Sequence, residues 1–293
     1  MTRIIPYELI KHLEWTPGQD LPEEKTPRQL VPSEQKDFNL DNLVNNGQAF
    51  YDGDLPTALR NAYAHATEEG VVASMPSLIA GKAQADKENY LWENWFTVLS
   101  EEDVGIDREG KFASRGEPVI VTVHGGGILT PDRIQQAYDE GLTDYRAAKF
   151  TDEEFGNLLN GTLPDEENIE LCHLDDVRLG RISNPFGKYG VVMDFEEGKA
   201  TKSGYHKKDG FMKNPLVHAR VGTLEHLEPY FDKAKDSEGD VGNYHRLQEI
   251  DPNQQQGRLL FLNYDCGGLN GNDDLDFDGR FVGVAPEARS ARE

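Results

Sequence analysis

Three consecutive glycines lie between a predicted strand and a predicted helix, a position where the backbone can bind an anion. The run VIVTV at 119–123 has the β-branched composition of a strand buried on both faces. Thr130 suits an N-cap and Pro131 a first helical position. Glycine lets N–H groups approach an anion, and a helix start adds partial positive charge. The sequence predicts a ligand-binding loop, with a tight structural connection as the alternative; its residues are His124, Gly125, Gly126, Gly127 and Thr130.

A histidine and an arginine, His218 and Arg220, form a second candidate for chemistry. The segment LVHARV at 216–221 reads as a strand, and alternation then places both side chains on one face. The imidazole can transfer a proton, and the guanidinium can bind a carboxylate or a phosphate. We therefore predict His218 and Arg220 as catalytic residues acting on an anionic substrate. An amphipathic strand with its polar face in water is the alternative.

A third candidate is the acidic segment GLNGNDDLDFDGRF, in which Asp274, Asp276 and Asp278 occupy alternate positions. This pattern resembles the start of a calcium loop, because a hard cation needs several oxygens from one short turn. The twelfth position is Ala285 instead of a bidentate glutamate, which excludes an EF-hand. The sequence leaves open a calcium or magnesium site completed by distant ligands such as Glu287, against a solvated acidic hairpin.

The segment PVIVTVHGGG also resembles the HGGG oxyanion loop of lipases and esterases of the α/β-hydrolase family. The resemblance covers about ten residues and would imply a serine nucleophile on a Gly-x-Ser-x-Gly turn. No such pentapeptide occurs; the nearest segment is KDSEG, where Lys235 replaces the first glycine. The sequence therefore does not predict an esterase triad.

Composition indicates where the protein is located in the cell and which classes of partner it can bind. The 293 residues include 53 acidic and 30 basic side chains, giving a net charge of −23, which disfavours nucleic acid as a partner. No apolar run approaches the roughly 18 residues of a membrane-spanning helix. The first residues, MTRIIPYELIKHLEWT, lack a secretory pattern. We expect a cytoplasmic protein without membrane association.

The pattern of elements predicts an α+β fold: a helical N-terminal part packed on a mixed, largely antiparallel sheet with interspersed helices. Residues 1–40 are predicted as an arm, 41–112 as a mainly helical part, and 113–293 as the sheet with its helices; the last two form one domain or two. Predicted helices begin at Leu55 and span 77–96, 131–140, 152–159 and 224–234. Predicted strands span 119–123, 189–195, 216–221, 258–264 and 280–285.

Three classes of function follow from these features. The first is an enzyme or binding protein for a small anionic ligand. The second is a non-catalytic assembly or interaction protein, such as a viral or multimeric shell component, forming a homo-oligomer through the N-terminal arm. The third is a divalent-metal-binding protein. The sequence does not decide between an enzyme and a binding protein.

Overall fold

The computed structural model describes residues 38–264 and 267–286, within a unit that spans Pro32–Glu293. The predicted arm lies almost entirely outside the described residues, as do Cys266 and Glu287. The helices are α1 (Leu40–Asn46), α2 (Leu55–Ala66), α3 (Met75–Gln84), α4 (Tyr90–Glu93), α5 (Pro131–Glu140), α6 (Asp152–Leu159), α7 (Leu174–Arg178), α8 (Phe195–Lys199), α9 (Lys208–Met212), α10 (Pro215–Val221) and α11 (Leu227–Ala234). The strands are β1 (Gln48–Asp52), β2 (Val71–Val72), β3 (Phe96–Ile106), β4 (Pro118–His124), β5 (Ala148–Lys149), β6 (Glu170–His173), β7 (Tyr189–Asp194), β8 (Gly204–Lys207), β9 (Asp240–His245), β10 (Gln256–Leu262), β11 (Leu269–Gly271) and β12 (Gly279–Val284).

A large mixed sheet organises the fold. Its strands follow the order β6-β7-β4-β3-β10-β11-β9-β8, and β5 pairs with β10. All pairs are antiparallel except β6 with β7 and β11 with β9. A smaller antiparallel sheet has the order β1-β12-β2. The predicted α+β class with a largely antiparallel sheet is therefore confirmed.

Helices cover both faces of the central strands. On one face, α2, α5 and α6 form a core with β4 that includes Leu59, Val121 and Phe155. On the other face, α3 and α11 pack against β10 through Leu78, Phe231 and Leu260. None of the described helices is both long enough and apolar enough to cross a membrane.

Several predicted helices are confirmed because their end signals are local. Helix α2 begins at Leu55, and the Asp54 carboxylate accepts a hydrogen bond from the Thr57 amide at 3.1 Å. Helices α5 and α6 have the predicted bounds. At the start of α6, Thr151 and Glu154 form a reciprocal capping box.

The predicted strand 216–221 is wrong, because these residues form helix α10. Asn214 accepts hydrogen bonds from the amides of Leu216 and Val217, and Pro215 occupies the first turn. Gly222 then ends the helix with a φ of +63°, a left-handed conformation that glycine adopts without strain. The cap, the proline and the glycine outweigh the β-branched composition between them.

The predicted helix 77–96 ends early, and strand β3 was not predicted. Helix α3 stops at Gln84, and Asn89 caps the short helix α4. Strand β3 begins at Phe96 and pairs with β4 on one side and β10 on the other. It lies inside the predicted helical part 41–112, yet it is the middle strand of the large sheet. Strand β4 has antiparallel neighbours on both sides.

Strand β3 contains a buried ion pair that fixes α10 on the sheet. Glu102 accepts two hydrogen bonds from Arg220, at 2.8 Å from Nε and 3.1 Å from Nη2. Nη1 of the same guanidinium donates to Asn243 Oδ1 and to the Tyr244 carbonyl, both at 2.8 Å. Arg220 is completely buried and Glu102 nearly so. The two charges therefore depend on each other for neutralisation.

We predict that Arg220→Met lowers the free energy of unfolding by about 3–5 kcal/mol, because it leaves the Glu102 carboxylate buried without a partner. Urea unfolding measures this. Arg60→Met, which removes the exposed ion pair of Arg60 with Asp132, is the control and should have a much smaller effect. Equal losses in the two variants would contradict the argument.

Candidate functional site

The glycine loop turns sharply after β4, in a conformation that requires glycine. Gly125 and Gly126 have φ values of +79° and +102°. Gly127 is needed for space, because a Cβ on it would lie 2.1 Å from Oε1 of Glu101. The first amide, that of Gly125, donates to the Leu99 carbonyl at 2.8 Å.

The loop binds an anion that belongs to the protein itself. Oε1 of Glu101 accepts from the Ile128 amide at 2.6 Å, and Oε2 accepts from the Leu129 amide at 2.9 Å. These N–H groups follow the glycines directly, at the place where the sequence predicts an anion cradle. Two donors of the loop are thus used by a buried carboxylate from β3. Binding of an external ligand by the loop stays a prediction.

Asp103 lies on the same side of β3 as Glu101 and forms a carboxyl pair with it. Burial raises the pKa of Asp103 well above its ordinary value, and the negative charge of Glu101 raises it further. Neither oxygen of Asp103 accepts a hydrogen bond from an N–H group or a hydroxyl. A protonated Asp103 that donated to Glu101 would satisfy both groups and would leave the pair with one negative charge.

His124, predicted in the ligand loop, is buried inside the core. Its Nε2 lies 3.0 Å from the Ala219 carbonyl, and its Nδ1 lies 2.9 Å from Oγ of Ser100. A neutral ring with the proton on Nε2 satisfies both contacts. Burial lowers the pKa of His124 to about 4. Thr130 accepts from the Arg133 amide as the N-cap of α5, as expected.

The structure does not place His218 and Arg220 on a common face beside the loop. Nε2 of His218 contacts the Met212 carbonyl at 2.7 Å, and burial lowers the pKa of this histidine. The Arg220 guanidinium is bound to Glu102, Asn243 and Tyr244. Neither residue lines the pocket next to the glycine loop. Their predicted catalytic role has no support in this geometry.

The three aspartates of the acidic segment have separate partners. Asp274 pairs with Arg246, and Asp276 pairs with Arg146. Asp278 forms a hydrogen bond with the Tyr51 hydroxyl and, with burial and nearby charges, raises the pKa of that tyrosine. Within residues 38–264 and 267–286, no cluster of three acidic, histidine or cysteine side chains has the geometry to hold a metal ion. The expected convergence of Asp274, Asp276 and Asp278 is therefore not found.

A pocket of about 230 Å³ borders the glycine loop, and we call it the glycine-loop pocket. It lies between the end of α2, the start of α3 and the segment before β7. The Tyr63 hydroxyl and the Lys188 side chain both approach Gly126, because a Cβ there would lie 3.6 Å and 3.7 Å from them. The polar and aromatic residues that line the pocket are Tyr63, Thr67, Ser74, Ser77, Glu167, Phe186 and Lys188.

A second surface lies at the β8 edge of the sheet, and we call it the tyrosine face: Tyr205, Tyr244, Asn263 and Asn270, with Tyr264 following Asn263 in the chain. Tyr205 pairs opposite Gly242, and Tyr244 pairs with Asn270, so these side chains share one side of the sheet. Asn270 donates to Asn263. The other side of the same strands carries core residues, among them Val241 and Leu269.

The tyrosines of this face are open to solvent, whereas Asn270 is buried. Tyr205 and Tyr264 are 49% and 54% exposed, and Tyr244 is half-buried. The rings of Tyr205 and Tyr244 meet edge to face at 5.9 Å. Gly242 makes room for this arrangement, because a Cβ on it would lie 2.4 Å from the Tyr244 ring.

The same side of the sheet continues toward β12 through further aromatic residues. Phe261 pairs with Asn270 and with Thr97, and its ring contacts Trp95. The Arg280 guanidinium lies 5.1 Å from the ring centres of both Tyr51 and Trp95. Aromatic rings and an arginine thus adjoin the tyrosine face.

Sequence reasoning missed the acidic run of β3 and the tyrosine face. A signal for the first was present, since Glu101, Glu102 and Asp103 lie between the apolar pairs VL and VG in the segment TVLSEEDVGI. The second had no local signal, because its residues come from β8, β9, β11 and the end of β10. Only the pairing of these strands brings them together.

Comparison with solved structures identifies one that is similar to this chain, described as "Accommodation of massive sequence variation in Nanoarchaeota by the C-type lectin fold". The two share 27% sequence identity, and the match covers 82% of this chain and 99% of that chain, with a TM-score of 0.62. The chain is similar to a C-type lectin fold. The agreement includes the α+β class described above. No protein-family model matches the chain, and no curated protein matches it.

We predict that Gly127→Ala lowers the free energy of unfolding by about 1–3 kcal/mol, because its methyl group would overlap Glu101. Gly53→Ala is the matched control, since a Cβ at Gly53 meets no atom within 4 Å. Thermal and urea unfolding measure both. A loss of unfolding free energy no larger than that of the control would show that the loop rearranges around Glu101 without cost.

We predict that Asp103→Asn makes the stability less dependent on pH. In the unfolded chain an aspartate titrates near pH ~3.9. Because the folded pKa is raised, the wild-type chain releases a proton on unfolding above this pH. Its free energy of unfolding therefore falls as the pH rises toward the folded pKa. Asparagine keeps an N–H donor for Glu101 but has no proton to lose.

Urea unfolding at pH 5 and pH 8 tests this prediction. The difference in free energy of unfolding between Asp103→Asn and the wild type should favour the variant more at pH 8 than at pH 5. Asp132→Asn, a substitution at an exposed carboxylate, should follow the wild-type pH dependence. Parallel profiles for the wild type and Asp103→Asn would rule out the shared proton.

Proposed function

We propose that this protein is a binding protein that recognises another macromolecule through the tyrosine face. The observation that carries the proposal is the division of β8, β9 and β11 into two unlike sides. Tyr205, Tyr244 and Asn263 have exposed or half-buried side chains on one side, while the opposite side forms part of the core. This proposal takes up the interaction-protein class predicted from the sequence.

The composition of the face suits macromolecular recognition. Tyrosine provides a large, rigid contact area that loses little conformational entropy on binding. Asparagine provides hydrogen bonds that adapt to different partners. Arg280 and Trp95, which adjoin the face, belong to the residue types that dominate binding energy at protein interfaces. Tyr205 and Tyr264 are about half exposed, so they offer contact area to a broad partner.

The similar solved structure supports a recognition role. Its description states that a C-type lectin fold accommodates massive sequence variation. In this chain the side chains of the tyrosine face contribute little to the core, which is built from Val241, Leu260 and Leu269 on the other side. A change of side chain on the face would therefore alter binding while the fold is kept. We propose that the face of this chain is a recognition surface of that kind.

We predict that the triple variant Tyr205→Ser, Tyr244→Ser, Tyr264→Ser keeps the fold and loses partner binding. Its melting temperature should change little compared with Phe261→Ala, which removes a buried ring at a cost of about 3–5 kcal/mol. Circular dichroism and thermal unfolding measure whether the fold is kept.

Site-specific photocrosslinking in a lysate of the source cells measures binding. A photoreactive phenylalanine analogue at position 264 should yield a discrete crosslinked product, and the same analogue at the exposed Gln135 on α5 should not. Serine at Tyr205 and Tyr244 should abolish the product. Equal products from both positions, or unchanged yield after the serine substitutions, would refute the proposal.

A further inference from the structure

We infer that the glycine-loop pocket is a binding site for a small organic cation. The pocket is separate from the tyrosine face, and the inference does not depend on the proposed function. It rests on the size of the pocket, its aromatic walls and the sign of the charges around it.

The size and walls of the pocket fit a small ligand with an apolar part. Its volume of about 230 Å³ is below the range of roughly 300–1,000 Å³ typical of drug-sized ligands. Leu99 and Val72 provide an apolar floor, and Phe186 provides an aromatic wall. The paired hydroxyls of Ser74 and Ser77, 3.0 Å apart and nearly inaccessible to solvent, provide polar contacts at one end.

The charges around the pocket are predominantly negative. Glu167 and Lys188 form an ion pair within the lining, and their charges cancel. The Glu101 carboxylate lies behind the glycines, and Asp165 lies two residues before Glu167. The effect is seen at Tyr63: burial raises its pKa, and the charges of these carboxylates raise it further. Among the described residues, carboxylates acting on the pocket therefore outnumber its ammonium group.

These charges disfavour an anionic ligand in the pocket. The amides of Ile128 and Leu129, which could bind an anion, already donate to Glu101. Lys188 is neutralised by Glu167. An organic ammonium group is instead attracted by Glu167, and the Tyr63 and Phe186 side chains that line the pocket can contact its apolar part. In the bound state it takes the place of the Lys188 ammonium at Glu167, since the long lysine side chain, partly exposed, can turn into solvent.

Isothermal titration calorimetry of the full chain with benzylamine tests the inference. Benzyl alcohol and phenylacetate are the matched neutral and anionic probes, since they share the aromatic ring. The expected order of affinity is benzylamine, then benzyl alcohol, then phenylacetate. Stronger binding of phenylacetate, or no saturable binding of benzylamine, would overturn the inference.

Two variants with opposite expected effects locate the binding. Glu167→Gln should weaken benzylamine binding about tenfold, because a charge-assisted contact is lost. Lys188→Met should strengthen it, because the competing ammonium group is removed. Glu117→Gln, which also removes one negative charge but lies at a different cavity, is the control and should leave the affinity unchanged.

Thermal unfolding of each variant confirms that the fold is kept, since both side chains of the ion pair reach solvent. Equal weakening by Glu117→Gln and Glu167→Gln would mean that only net charge matters. That result, or weaker binding by Lys188→Met, would assign benzylamine to another place on the chain and overturn the inference.

Discussion

The fold depends on how three consecutive buried carboxylates in the middle strand of the sheet are satisfied. Burying a charge without a partner is costly, so each carboxylate in β3 needs a specific neighbour. Glu101 accepts hydrogen bonds from two amides of the loop after β4, the pKa of Asp103 beside it is raised well above its ordinary value, and Glu102 accepts hydrogen bonds from the Arg220 guanidinium. The glycine loop and α10 come from distant parts of the chain, and these interactions fix both of them on opposite sides of one strand.

This arrangement explains why the glycine loop has its shape. The sequence pattern of strand, glycines and capped helix is that of an anion cradle, and the structure supplies the anion internally. Gly127 has no side chain because the Glu101 carboxylate occupies that space. Once Glu101 is bound, its remaining charge acts on the neighbouring pocket. The loop thus binds a carboxylate of the protein itself, and the inferred preference of the neighbouring pocket is for a cation.

The two faces of the sheet are not covered equally along its width. Its central strands are covered on both faces by helices, whereas β8 and β9 have a core side and a more exposed side. Side chains on the exposed side, such as Tyr205, can change at small cost to the core. This separation gives a physical reason why a fold of this kind can present different side chains, as described for the similar C-type lectin fold in Nanoarchaeota.

The sequence by itself determined the α+β class and the elements whose signals are local. Asp54, Thr130 and Thr151 fixed the starts of α2, α5 and α6, because an N-cap bond joins residues only three apart. Tertiary structure decided what depends on partners. Three consecutive acidic residues are typical of an exposed segment, and only the tertiary structure places Arg220 and the loop amides beside those of β3. Residues 216–221 form helix α10 despite their β-branched residues, because of the caps and the contact of Arg220 with Glu102. The tyrosine face exists only through strand pairing, since register brings together residues more than sixty positions apart in the chain.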